Sequence, residues 1–309
     1  MAPSSLAVTA AGIQFQNPVL LAAGTAAYGR ELASVIDLDA LGGLVTKAVS
    51  LERRHGARAP RVAEFDGGMI NAVGLANPGV EEVRDEHLPW LAEHLRKARV
   101  LVNVVGNQVE EFAGVVSALD GAAGVSGYEL NVSCPNVRAG GLEFGADDAS
   151  LTAVVNRARA ATRKPIFVKL SPTLPNIGRS AKIAAAAGAD GITVVNTLPG
   201  LSIDVETRRP VLGFGTGGVS GPGLLPVGVL ATYRVAQAVE VPIVGVGGIS
   251  KATDIVQYVM AGASLVAVGT AAMQEPRLVQ KLVRDLEKWC GQHRVGSLAE
   301  LRGTVQWET

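Results

Sequence analysis

Eight short apolar runs punctuate the chain: PVLLAAG (18–24), GGLVTKA (42–48), VLVNVVG (100–106), GYELNVS (127–133), PIFVKLS (165–171), GITVVNT (191–197), PIVGVGG (242–248) and SLVAVGT (264–270). Each is too short for a helix and rich in Val, Ile and Leu, which predicts buried strands. Between them lie Ala/Leu-rich segments of helical period, near residues 29–37, 80–97, 109–119, 150–162, 177–187, 225–239, 252–261 and 276–289. Asp147 and Asp148 precede ASLTAVVNRARAAT, and Ser250 precedes KATDIVQYVMAG, which closes on Gly262; these are helix start and stop signals. Strict alternation of eight strands and eight helices predicts an α/β fold, a closed (β/α)8 TIM barrel spanning residues 1–309 as a single domain. A doubly wound open sheet is the structural alternative. Two inserts break the alternation, Val49 to Gly79 and Pro199 to Gly223. Both follow the carboxyl ends of strands, the face where barrel enzymes build their sites. The first ~17 residues read as an N-terminal hairpin plugging the opposite end.

Polar residues interrupt these apolar runs at one end. Lys47 ends the second strand, Asn103 lies in the third, Asn131 ends the fourth, Lys169 ends the fifth, and Asn196 and Thr197 end the sixth. Burying one such group without a partner costs several kcal/mol, and a single case is commonly a satisfied structural group. Recurrence at the same end of successive strands predicts a polar ligand in the barrel mouth. The last two strands end differently, in GVGGIS and VGTAAM, where Gly247, Gly248, Gly269 and Thr270 bring backbone amides to the mouth. Loops after strands 7 and 8 of barrels often hold a phosphate on such amides. Tight turns are the plain structural alternative.

Composition narrows the picture further. Hydrophobic residues make up 48% of the 309 and charged residues 18%, while 28 basic residues balance 28 acidic ones. The chain can bury a large core, and no basic excess points to nucleic acid or an anionic membrane. No apolar stretch approaches the roughly 20 residues that cross a bilayer, and the first residues lack the pattern of a signal peptide, so a cytoplasmic protein is expected. His55, His87, His94 and His293 lack ligand spacing, and no metal site is expected. The glycines of GFGTGG (213–218) imitate a dinucleotide fingerprint, but no buried strand precedes them and no helix follows; they read as insert turns. Cys134 and Cys290 are the only cysteines. Two thiols cannot furnish the four thiolates of an iron–sulfur cluster. Cys290, ending the last helix, reads as a packed thiol.

Cys134 lies just past the fourth strand in NVSCPNVRAGG, a loop with Gly140, Gly141 and Gly145 as pivots. It could serve as nucleophile, redox partner or proton acceptor. No resolving cysteine and no neighbouring histidine support the first two. An ordinary thiol pKa of about 8.5 suits proton abstraction near neutrality.

NVSCPNVRAGGLEFG resembles the catalytic loop of dihydroorotate dehydrogenases, in particular the class 1B catalytic subunits. LVTKAVS, PRVAEFDGGMINAVGLANPG, FVKLSP, VVNTLPG, GGVSGP, VGVGGI and AVGTA match that family in order along essentially the whole chain. The stretch after Cys-Pro differs from the dihydropyrimidine dehydrogenases, and SIDVETRRPVLGFGTGGVSGP looks like class 1B rather than class 1A. The added amino-terminal segment and serine base of class 2 are missing. One departure is AAG at Ala22, Ala23 and Gly24, where many class 1B relatives carry a serine.

The resemblance implies oxidation of dihydroorotate to orotate on one bound FMN, in pyrimidine biosynthesis. It makes Cys134 the general base toward carbon 5. It places Asn71, Ala72, Val73, Gly74, Leu75, Asn131, Asn136, Asn196 and Thr197 on the substrate, with Lys47 balancing its carboxylate. Ala23, Lys47, Ala48, Asn103, Asn131, Lys169 and Val195 would line the flavin, and Gly221, Gly247, Gly248, Gly269 and Thr270 its edge and phosphate. The class 1B resemblance further implies FAD and a [2Fe–2S] cluster on a partner electron-transfer subunit that passes electrons to NAD+; this chain itself has too few cysteines for the cluster. A homodimer, and a heterotetramer with two such subunits, are implied by analogy. The competing functions are a fumarate-using class 1A enzyme, a dihydropyrimidine dehydrogenase relative, a phosphate-binding aldolase or isomerase with Lys169 as Schiff base, and a catalytically idle scaffold.

Overall fold

The structure is a computed structural model and describes residues 6–133 and 143–307. Eight parallel strands close into a barrel: β1 (Val19–Leu21), β2 (Gly43–Val45), β3 (Arg99–Val104), β4 (Val125–Asn131), β5 (Ile166–Leu170), β6 (Gly191–Val194), β7 (Ile243–Val246) and β8 (Leu265–Val268). Closure comes from β8 pairing with β1, where Val268 stands opposite Leu21. The open doubly wound sheet is thereby excluded.

Alternation along each strand sorts the side chains. Leu20, Val45, Leu101, Phe167, Val244 and Leu265 point inward and form a compact cluster. Their outward neighbours, such as Val19, Leu21 and Leu44, join the larger layer under the helices. The amino-terminal strands Val8–Ala10 and Ile13–Phe15 pair as a hairpin, and Ala10 and Phe15 insert into the inner cluster. The expected plug is present.

The helices Val109–Leu119, Asp148–Ala160, Ile177–Ala186, Leu225–Ala236, Ala252–Met260 and Leu278–Gln292 wrap the barrel. Asp147 caps the second of these by accepting from the Ser150 backbone N–H at 2.8 Å. At Ala252–Met260 the signal is not Ser250 alone: Asp254 reaches back to the N–H groups of Ser250 and Lys251. The segment Val80–His94 is helical with a π-wound middle turn at Val83–His87.

One predicted helix, 29–37, does not form. Only two isolated i→i−4 bonds occur there, Ala33 to Gly29 and Ile36 to Leu32, and Gly29 is left-handed at φ 91°. Tyr28, Ile36 and Leu38 are drawn into the core instead, and that burial outweighs the modest local preference for a helix. A single 3₁₀ turn, Leu38–Ala40, completes the crossover.

The two inserts do more than turn. Val62–Phe65, Gly68–Asn71, Leu198–Gly200 and Gly217–Ser220 form one antiparallel sheet in which Gly217–Ser220 pairs with Gly68–Asn71. Segments from two distant β/α units thus share one sheet beside the barrel mouth. Among the described residues, no helix is long and apolar enough to cross a membrane.

Candidate active site

All eight strand ends contribute to one cavity of about 320 Å³ at the carboxyl face. Lys47, Asn103, Asn131, Lys169, Asn196 and Thr197, the residues that broke the apolar pattern, all line it. So do Ala23, Ala48, Val195, Gly221, Gly247, Gly248, Gly269 and Thr270, with Asn71, Val73 and Leu75 from the insert sheet and its following loop. Ala72 and Gly74 line a neighbouring cavity of about 400 Å³ that shares Asn71, Asn196 and Thr197 with the first. Glu143 also lines that second cavity; burial pushes its carboxyl above the ordinary range, partly opposed by a hydrogen bond with Ser171. Cys134 and Asn136 lie outside the described residues.

The amides are held in defined orientations. The Asn196 side-chain N–H donates to Asn131 Oδ1 at 3.3 Å, and the Thr197 backbone N–H donates to Asn196 Oδ1 at 2.9 Å. Asn71 donates from Nδ2 to the Gly218 carbonyl at 3.2 Å. Asn131 is therefore left to offer its amide hydrogens and Asn71 its carbonyl oxygen. Such a mixed set suits a planar ring carrying alternating N–H and C=O groups.

Charge in the cavity comes from two lysines. Lys169 is only 7% exposed, and among the described residues its ammonium has no hydrogen bond or ion pair. A cation so placed calls for negative charge on whatever fills the cavity. Lys47, half-buried after β2, lines the same cavity. Among the described residues, no acidic side chain lines the cavity itself.

Glu129, which the sequence reading passed over, lies one layer deeper on β4. It is 1% exposed and accepts a 2.8 Å hydrogen bond from Asn103 Nδ2. The signal was available: GYELNVS carries a carboxylate inside an apolar run, two residues before Asn131. Thr46 is a second such residue; its hydroxyl accepts from the Asn103 N–H at 3.2 Å and donates to the Lys47 carbonyl at 2.9 Å.

The residues present fit FMN. Among the described residues, the backbone N–H groups of Gly247, Gly248, Gly269 and Thr270 have no acceptor, although all four residues line the cavity. Successive amides left without a partner at the wall of a cavity form a cradle for an anionic group. The Thr270 hydroxyl, bonded to Ser220 Oγ at 2.8 Å, stands beside them. An anion cradle after β7 and β8, a buried lysine on β5 and an amide cluster at the ends of β4 and β6, all on one cavity, match the phosphate, the isoalloxazine and a second planar ring. Cys290, by contrast, is fully buried near the end of the last helix, and burial raises its thiol pKa, in keeping with a packed group.

A sequence model described as dihydroorotate dehydrogenase matches residues 5–289. The chain is 42% identical over 301 residues to a protein of Citrifermentans bemidjiense named dihydroorotate dehydrogenase B (NAD(+)), catalytic subunit, covering 97% of this chain and 98% of that one. Proteins of the same name from Desulforudis audaxviator and Geobacillus kaustophilus are 46% identical over 299 residues and 43% over 307. The first covers 97% of each chain, and the second 98% of this chain and 96% of its own. A barrel mouth with an amide-rich pocket beside an anion cradle, together with end-to-end relatives of one name, places this chain in the dihydroorotate dehydrogenase family.

Proposed function

We propose that this chain oxidises dihydroorotate to orotate in pyrimidine biosynthesis, with FMN held in the barrel cavity. The observation that carries this reading is the junction, in one cavity, of the Asn71–Asn131–Asn196–Thr197 cluster with Lys169 and the unpaired amides after β7 and β8. Ala23, Ala48, Asn103, Lys169 and Val195 would hold the ring system, and Gly221, Gly247, Gly248, Gly269 and Thr270 the flavin edge and phosphate. FMN, when bound, supplies the two-electron acceptor for the hydride that leaves carbon 6 of the substrate.

The chain's own residues do the rest. Asn131 and Asn196, fixed by each other, orient the pyrimidine ring, while Asn71 and Thr197 close on it from the insert side. Lys47 compensates the substrate carboxylate. Cys134 takes the proton from carbon 5, a role that rests on its position after β4 and on ordinary thiol acidity near neutrality. Family membership supports this reading over the aldolase that Lys169 alone would allow.

Electrons then leave for NAD+ through a partner subunit, as the words NAD(+) and catalytic subunit in the relatives' names suggest; FAD and a [2Fe–2S] cluster on that partner rest on the class 1B resemblance alone. The working assembly would be a cytoplasmic heterotetramer built on a homodimer of this chain. Anaerobic mixing of the purified protein with dihydroorotate tests the core claim. Bleaching of the yellow flavin absorbance with appearance of orotate is expected; a colourless protein that takes up no FMN defeats it.

A further inference from the structure

The segment Gly247–Lys251, which supplies part of the anion cradle, is held from behind by the helix Ala252–Met260. Asp254 fixes its far end: Oδ2 accepts from the Ser250 N–H at 2.9 Å, the Ser250 hydroxyl at 3.2 Å and the Lys251 N–H at 3.1 Å. Tyr258, one turn further on, fixes the near end by donating its hydroxyl to the Gly247 carbonyl at 2.8 Å. Its ring is completely buried.

The fold makes room for this tyrosine. A Cβ on Gly228, in the helix Leu225–Ala236, would collide with the Tyr258 hydroxyl, and one on Gly245, in β7, would collide with its ring. Two neighbouring elements therefore carry glycine where the ring passes. A core tyrosine needing only apolar contact would not require its hydroxyl to reach the loop. Burial raises the Tyr258 pKa above its ordinary value, with Asp254 adding to the effect, so the group stays a protonated donor at any working pH.

The consequence follows from peptide geometry. The Gly247–Gly248 peptide is trans, so its C=O and N–H point in opposite directions. With the carbonyl drawn outward to Tyr258, the Gly248 N–H is turned the other way, toward the cavity that Gly248 lines and where it has no acceptor among the described residues. We propose that Tyr258 is a positioning residue that presets the Gly248 amide for the phosphate of the flavin. The inference rests on the flavin reading of the cavity and adds to it a residue that does not touch the ligand.

The test is fluorescence titration of the apo full-length chain with FMN and, separately, with riboflavin, which lacks the phosphate. Tyr258→Phe keeps the buried ring and removes only the hydroxyl. The expected result is FMN affinity lowered roughly three- to tenfold, the range of one net hydrogen bond, with riboflavin affinity unchanged. Gly228→Ala, which pushes the hydroxyl away from Gly247, should give the same phosphate-selective loss. Equal losses for both flavins, or no loss for either, overturn the role of Tyr258. A wild-type chain that binds riboflavin as tightly as FMN would instead overturn the phosphate cradle itself, a separate result.

Discussion

At the scale of single residues, the site turns on groups whose chemistry a neighbour constrains. Asn103 is fully buried and gives one amide hydrogen to Glu129, while among the described residues its side-chain oxygen has no donor. Glu129→Leu should strand that amide and cost about 1–3 kcal/mol on chemical denaturation, with weakened FMN binding. Glu129→Gln, whose oxygen still accepts, should recover most of both, and a Leu variant as stable as wild type would count against the pairing. Cys134→Ser should lower turnover strongly at neutral pH, because an alcohol rarely gives up its proton there unaided, and regain part of it in alkaline buffer. A flat ratio of variant to wild-type rates across pH would remove Cys134 as the base. Lys47, Asn103, Asn131, Lys169, Asn196 and Thr197 were legible in the sequence because each is a polar residue inside an apolar run. Glu129 satisfies the same criterion. Tyr258 does not: on the apolar face of a helix it looks like core, and only its tertiary hydrogen bond reveals more.

At the scale of elements, short polar clamps set where the strands begin. Asn17 is buried and accepts from the N–H groups of Val19 at 3.1 Å and Gly42 at 2.9 Å, tying β1 to β2. Asp39 does the same for β3: its Oδ1 accepts from the N–H groups of Arg96, Lys97 and Ala98 at 3.0, 2.7 and 2.8 Å. Burial acts to raise the Asp39 pKa, but these three donors outweigh it and the net shift is downward. A lowered native pKa means stability that is present above the unfolded value and lost as pH falls through the native one. Asp39→Ala should therefore cost about 1–2 kcal/mol at neutral pH, and the gap to wild type should narrow in acid. Denaturation curves at both ends of that range decide it; a gap that widens in acid contradicts the clamp. The strands themselves were legible from composition and length. The 29–37 helix was misread because the core claims Tyr28, Ile36 and Leu38 against local helical preference.

At the scale of the molecule, the barrel offers one end to chemistry and closes the other with Ala10 and Phe15. Its two cysteines cannot build a cluster, and on the function proposed above a second protein carries the electrons to NAD+. The purified chain with dihydroorotate should reduce an artificial dye but not NAD+, and adding the electron-transfer subunit should restore NAD+ reduction. Robust NADH formation by this chain alone would overturn that division of labour, and fumarate turnover would redirect it to a class 1A activity. The barrel class could be read from alternation, because each β/α unit is local. The insert sheet could not, since it joins partners 147 residues apart, as Asn71 and Gly218 show, and no periodicity within either segment announces the other.

That shared sheet limits how the protein can be re-engineered. Ile70 faces Val219, and Asn71 is held by a carbonyl contributed from the other insert. A graft that exchanges only one of the two loops with a relative would leave half a sheet searching for an unfamiliar mate. Specificity in this pocket should therefore be transplanted as a matched pair of segments or not at all.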